Sequence, residues 1–192
     1  KKQGKILGLL TSLKQICNHP ALALKEKKIG QDFMHRSGKL ERLSEILAEI
    51  LETDDRAILF TQFAEWGHLL KAHFKQQWLI EVPFLHGGSS KTERQAMIDQ
   101  FQTDPRGPQL FLLSLKAGGV GLNLTRANHV FHLDRWWNPA VENQATDRAY
   151  RIGQSQRVMV HKFITSKSIE ERIDKMIEDK SKLSEEIIGN GE

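Results

Sequence analysis

Gln144, Arg148 and Arg151 stand four and three positions apart, the spacing that brings side chains to one face of a helix. An amide and two guanidiniums on one face suit an anionic phosphoryl group, because a guanidinium stays charged and donates in two directions. The same face could instead form surface salt bridges, with Asp147 as a local partner. Spacing alone does not separate the two readings.

Other phosphate and metal chemistries fit poorly. The Gly38-Lys39 pair is followed by Leu40 rather than Ser or Thr and follows no strand, so it is not a P-loop. Gly119-Val120-Gly121 lacks the third glycine of a dinucleotide fingerprint, and no acidic pair follows a strand to hold magnesium. By itself the chain therefore lacks the means to grip and hydrolyse ATP. His129 and His132 lie three apart on an expected strand, which sends them to opposite faces and excludes a paired-ligand role. Cys17-Asn18-His19 places a thiol beside an imidazole only in sequence, where neighbours rarely meet in catalytic geometry.

The elements that must position these residues alternate in period. Ile6, Leu9, Leu10, Leu13 and Ile16 recur at helical spacing, and Pro20 ends that helix or follows its end. A polar connector over 25–37 leads to a second helix carrying Leu40, Leu43, Ile46, Leu47, Ile50 and Leu51, with Ser37 as its N-cap. Ala57-Ile58-Leu59-Phe60 is a short apolar run of the kind buried on both faces of a parallel sheet. Trp66, Leu70 and Phe74 form the core stripe of the helix after it. Strands are expected at 82–85, 110–115, 129–133 and 158–164. Between them, Ser90 and Glu93 form a capping box opening a helix through Phe101, and Pro139 sits in the first turn of a helix running to about Arg151. Ser168 with Glu171 opens a long terminal helix. Strand alternating with helix predicts an α/β fold: a doubly wound, mainly parallel sheet with helices on both faces and functional loops at the carboxyl ends of its strands.

With 192 residues, 39% hydrophobic and 27% charged, the chain is long enough for one domain with a real core, which excludes a disordered tail or a disulfide scaffold. No apolar run reaches the roughly 18 residues of a membrane span. The basic, apolar start mimics a secretory signal, but Thr11, Ser12, Lys14 and Gln15 interrupt it. The missing initiator Met suggests an excised fragment. A single cysteine, Cys17, points to a reducing compartment. The net charge is +4, and residues 1–42 hold ten Lys/Arg against three Asp/Glu. Such an excess can face nucleic acid but is more often a solvated face.

The runs Cys17-Asn18-His19-Pro20, Leu59-Phe60-Thr61-Gln62-Phe63, His86-Gly87-Gly88-Ser89, Ser114 to Leu124, Trp137-Asn138-Pro139 and Asp147 to Gln154 follow one another in a telling order. Together they resemble the successive motifs of the second, C-terminal RecA-like lobe of Swi/Snf-family ATPases, in helicase superfamily two. The resemblance runs from about Leu10 to Ile188 and is most specific between Ser114 and Gln154. It implies a RecA-like lobe over 38–165, preceded by a helix and connector (1–37) and followed by a brace helix (166–192). In such motors the P-loop and the magnesium-binding acid belong to the first lobe, so ATP and Mg would be held mainly there.

The resemblance also assigns roles. Arg148 and Arg151 match the arginine fingers facing the ATP phosphates, and Gln144 matches the residue that helps position them. Gly121 and Asn123 fall where the family's motif approaches the nucleotide. Thr61, Gln62, Gly87, Gly88, Ser89, Ser114 and Lys116 match positions along the phosphates of one DNA strand, and Trp137 and Asn138 match a coupling motif. Trp136 is an additional aromatic that could simply pack. The implied whole is an ATP-dependent translocase on double-stranded DNA that remodels or displaces protein–DNA complexes, without sequence specificity. Its expected partners are duplex DNA and the first lobe of the same polypeptide, with no membrane, and a monomer is expected. The lobe has no room for a large insertion, which favours a prokaryotic, nucleoid-associated cytoplasmic protein over a nuclear one. Two alternatives stay open: a catalytically inert nucleic-acid-binding or interaction module of the same fold, and a lobe of a strand-separating helicase.

Overall fold

The computed structural model describes residues 2–114, 122–149 and 157–189. Helix α1 (Lys2–Asn18), the single turn α2 (Pro20–Ala23) and a 3-10 turn at Met34–Arg36 lead to α3 (Gly38–Leu51). Strand and helix then alternate: β1 (Ala57–Thr61), α4 (Ala64–Trp78), β2 (Phe84–Leu85), α5 (Lys91–Thr103), β3 (Leu110–Ser114), β4 (His129–His132), α6 (Pro139–Thr146), β5 (Met159–Lys162) and α7 (Ile169–Gly189). The strands form one sheet of order β2-β3-β1-β4-β5, and every pairing is parallel. This is the expected doubly wound architecture.

The apolar run of β1 divides between two cores because successive side chains leave a strand on opposite faces. Ala57 and Leu59 pack with Leu110, Leu112 and Phe131 against Leu40, Leu43 and Leu47 of α3 and Trp66, Leu70 and Phe74 of α4. Ile58 and Phe60 pack with Phe111, Leu113 and Val130 against Phe101 of α5 and Ala145 of α6. Local signals fix the helix starts. The Ser37 hydroxyl accepts from Leu40 N–H, the Ser90–Glu93 box closes in both directions, and Asn138 Oδ1 accepts from Ala140 N–H with Pro139 beside it. Gly67 lets α4 approach β2: a Cβ there would sit 2.2 Å from the Phe84 ring.

The structure departs from the sequence pattern at several ends. Of residues 82–85, only Phe84 and Leu85 form ladder pairs, since Pro83 has no N–H; its carbonyl still accepts from Leu112. The helix expected to reach about Arg151 ends at Thr146, and Arg148 lies in a tighter turn where its N–H bonds to Ala145 O. Ser168 Oγ accepts from Glu170 N–H, but the Glu171 carboxylate accepts from Lys167 rather than from Ser168, so the reciprocal box is not formed. The largest departure is α1. Its apolar stripe is turned outward, with Ile6 57% and Leu9 61% exposed, while Lys14 and Asn18 are buried.

His129 and His132 do take opposite faces. His129 Nε2 pairs with Asp55 Oδ2 and its Nδ1 with His161 Nε2, each at 3.0 Å. His132 Nε2 lies 2.9 Å from Thr146 Oγ1, and its ring stacks on Phe60. Asn18 and His19 are likewise structural: the His19 ring caps α2 and meets the Phe33 carbonyl. Among the described residues no helix is long and apolar enough to cross a membrane.

Candidate nucleotide and nucleic-acid interface

The candidate residues gather at the carboxyl ends of the strands: for the DNA phosphates, Thr61 at the end of β1 with Gln62 after it, Gly87 to Ser89 after β2 and Ser114 at the end of β3, and for coupling, Trp137 and Asn138 beyond β4. Sequence order would scatter them, and a network of buried charges holds the loops after β1 and β4 together. The centre of this network is Asp134, 1% exposed. Asp134 Oδ2 accepts from the Thr61 hydroxyl (2.6 Å) and from Asn18 Nδ2 (3.0 Å), and its Oδ1 accepts from Gln62 N–H (2.9 Å). The next residue continues the network from both its ends. The Arg135 carbonyl accepts from Lys14 Nζ and Gln62 Nε2, and its buried guanidinium donates to Glu142 of α6 (2.6 Å) and to Asp174 of α7. Burial works against the Arg135 charge, but the two carboxylates outweigh it and raise its pKa.

Lys39 closes the other side. Its ammonium donates to Asn18 Oδ1, the Leu133 carbonyl and Glu170 Oε1, the last at 2.6 Å between side chains almost wholly buried. Burial lowers the Lys14 pKa, opposed by Asp134, Glu170 and Glu142. These contacts tie α1, α3, α6 and α7 to the end of the sheet from which the candidate loops emerge. Lys14, Lys39, Asp134, Arg135, Glu142 and Glu170 were not among the residues singled out by sequence. Asn18 and Asp134 lie more than a hundred residues apart, and nothing local announces such a partner.

The loops differ in what they offer. Thr61 and Ser114 have buried side chains, and the Thr61 hydroxyl also accepts from Phe63 N–H, so it is committed inward rather than presented to a phosphate. In the turn after β2, His86 N–H donates to Ser89 Oγ, Ser89 N–H to the His86 carbonyl, and Gly88 N–H to His86 Nδ1 at 3.1 Å. The exposed Gly87 keeps a backbone N–H without an acceptor among the described residues, and a Cβ there would meet nothing within 4 Å. Of the three small residues named in this loop, Gly87 is the one with an N–H open to a phosphate.

On the nucleotide side, Gln144 and Asn123 are exposed and Arg148 is half-buried. The Arg148 carbonyl accepts from Leu124 N–H, so the segment carrying Asn123 is fastened to the turn carrying Arg148. Arg151, Gly121 and Lys116 lie outside the described residues. Trp137 is 41% exposed with the Lys14 ammonium 4.9 Å from its ring centre, and Asn138 is exposed apart from its capping bond. Trp136 is half-buried. Among the described residues no three His, Cys, Asp or Glu side chains are grouped to hold a metal ion.

Comparison with known proteins identifies the family. Residues 38–153 match the helicase conserved C-terminal domain. YwqA of Bacillus subtilis strain 168 is 50% identical over 188 residues, which cover 98% of this chain and 20% of YwqA. An ATP-dependent helicase of Mycoplasma pneumoniae is 42% identical over 183 residues, covering 95% of this chain and 17% of that protein. The chain thus spans about a fifth of the length of these relatives. Among solved structures, the Sulfolobus solfataricus SWI2/SNF2 ATPase core in complex with dsDNA is 45% identical, with a TM-score of 0.79 over 98% of this chain and 38% of the other.

Proposed function

This chain belongs to the helicase conserved C-terminal domain family, in its SWI2/SNF2 branch, and from that premise we propose that it is the second lobe of an ATP-driven motor that translocates on duplex DNA and displaces or remodels bound proteins. The observation that carries the reading is the buried network that runs from Gln62, at the carboxyl end of β1, through Asp134 and Arg135 to Glu142 of α6, the helix that leads to the turn bearing Arg148. The likeness to an ATPase core solved with dsDNA supports the DNA half of the proposal.

ATP, with its magnesium, brings the phosphoryl group that is hydrolysed. In this lobe Arg148 and Arg151 supply positive charge to the phosphates across the cleft, where such charge offsets what builds up on the transferred group. Gln144 helps set their position. The DNA side uses Gly87 N–H and the Gln62 segment to hold backbone phosphates, contacts that carry no base information. The two sides communicate because Gln62 is bonded to Asp134 and Arg135, and Arg135 in turn holds the helix that leads to Arg148.

The test is made in the intact polypeptide. Arg148→Ala and Arg151→Ala should each lower kcat for DNA-stimulated ATP hydrolysis by on the order of a thousandfold while leaving duplex affinity within a few-fold. The 192-residue chain alone should hydrolyse no ATP. Turnover by this chain alone, or an equal loss of DNA affinity in both variants, would overturn the assignment and favour an inert binding module.

A further inference from the structure

Gly88 is a glycine for the sake of a neighbouring ring. A Cβ at Gly88 would lie 3.0 Å from His86 Cε1 and 3.2 Å from His86 Nδ1, and no other atom lies as near. The ring sits there because its Nδ1 accepts the Gly88 N–H. An acceptor nitrogen carries no proton, so the neutral ring has its proton on Nε2. In this state the loop withholds the Gly88 amide, which is spent on the His86 ring. No lysine or arginine occurs between Phe84 and Ser90, so the loop itself has no fixed positive charge.

We propose that His86 is a further phosphate ligand of this loop, binding the DNA backbone in its protonated form and freeing the Gly88 amide to donate to the same phosphate. The proposal rests on the DNA reading above. The step balances simply: one proton from solvent bonds to Nδ1, the Gly88 N–H···Nδ1 bond breaks, and two new donors, Nδ1–H and Gly88 N–H, join the open Gly87 N–H. Imidazole is the side chain whose charge changes in the neutral range, and charge-assisted bonds to phosphate are the stronger kind.

Among the described residues the charged neighbours are few. From α4, the His68 ring stands 5.0 Å from His86, with Glu65 and Lys71 acting on His68 in turn. From α5, the Glu93 carboxylate feels the His86 ring, although it is engaged first by Ser90 N–H and hydroxyl. Phe84, on the adjoining strand, offers only an uncharged ring face at 4.9 Å. The bound phosphate supplies the negative charge that pairs with the protonated ring. Binding then takes up a proton, and by reciprocity acid strengthens binding.

The experiment titrates the 192-residue chain against a short fluorescein-labelled duplex at pH 6, 7 and 8, at constant low ionic strength. Wild type should tighten by roughly threefold to tenfold per pH unit toward acid, the upper figure being the limit for one proton taken up. His86→Asn, whose amide oxygen can still accept from Gly88, should flatten that slope and lose the gain in affinity toward acid while melting as wild type does. His68→Asn should keep the slope, and Gly87→Ala should weaken binding at every pH without altering it. A full slope in His86→Asn, or a flat wild-type response with measurable binding, overturns the role of His86 and leaves the DNA reading intact. No binding by wild type at any pH overturns both.

Discussion

The Thr61 hydroxyl donates to the Asp134 carboxylate across 2.6 Å, and both groups are sealed from solvent at the ends of neighbouring central strands. That bond explains why Thr61 occurs where the family's motif suggests a phosphate contact: the side chain fixes the turn that presents Gln62. Thr61→Val keeps the shape but removes the donor to Asp134 and the acceptor for Phe63 N–H. The expected cost is about 1–3 kcal/mol, read as a drop of roughly 2–4 °C in melting temperature per kcal/mol. Thr61→Ser should melt near wild type. A valine variant as stable as wild type would refute the structural tie.

Arg135 holds two carboxylates from two helices, so its loss leaves the buried Glu142 with the Trp136 N–H and, as its one cation among the described residues, Lys162 at 3.7 Å. Arg135→Met should destabilise by about 3–5 kcal/mol in urea unfolding, as expected when one partner of a buried pair is removed. Adding Glu142→Gln should recover part of that loss by removing the stranded charge. If the double variant is weaker than the single one, the charge argument is wrong.

Burial pushes the His132 pKa down from 6.5 to about 4, and its Nδ1 has no hydrogen-bond partner among the described residues. The unfolded chain therefore takes up this proton at a higher pH than the folded one does. Stability from this residue is full above pH 6.5, drains as pH falls toward 4, and levels off below; the whole swing is on the order of 3 kcal/mol. Denaturant titrations between pH 4 and 7.5 should show the decline in wild type and a smaller one in His132→Gln. Parallel curves for the two proteins would exclude His132 as the source.

Because Trp137 is 41% exposed, truncating it removes less packing than at a sealed core position. Trp137→Ala should cost less stability than the roughly 3–5 kcal/mol of a fully buried tryptophan, the loss of its contact with Lys14 included. In the intact polypeptide it should retain ATP hydrolysis while losing translocation, scored by displacement of a triplex-forming strand. A parallel fall in melting temperature, hydrolysis and displacement would reduce Trp137 to a packing residue.

Much of this was legible in the sequence. The β1 and β3 runs, Ala57 to Phe60 and Leu110 to Leu113, are apolar without alternation because both faces of the sheet are covered, and a run that short between turn residues reads as a buried strand. Capping residues such as Ser37 and Ser90 act over three positions, so their partners are visible locally. What was not legible is long-range and electrostatic. Lys14 looks like a polar interruption of an apolar helix, yet it is buried because the Arg135 carbonyl and three carboxylates from distant segments surround it. Conversely, the stripe of Ile6, Leu9 and Leu13 predicted a buried face, and periodicity cannot reveal that the side turned to the sheet is the one bearing Lys14 and Asn18.

The all-parallel sheet also dictates how the chain must find its native state. β1, at the centre, pairs through Ala57 with Leu110 on one side and His129 on the other, and no strand meets its neighbour through a tight hairpin. Each ladder closes a long loop before it gains any pairing, which places the rate-limiting step at assembly of the central strands and makes refolding slow for a chain of this size. Until β3 and β4 arrive, the apolar segment Ala57 to Phe60 has both edges unpaired. At high concentration, refolding therefore competes with cross-association through this segment.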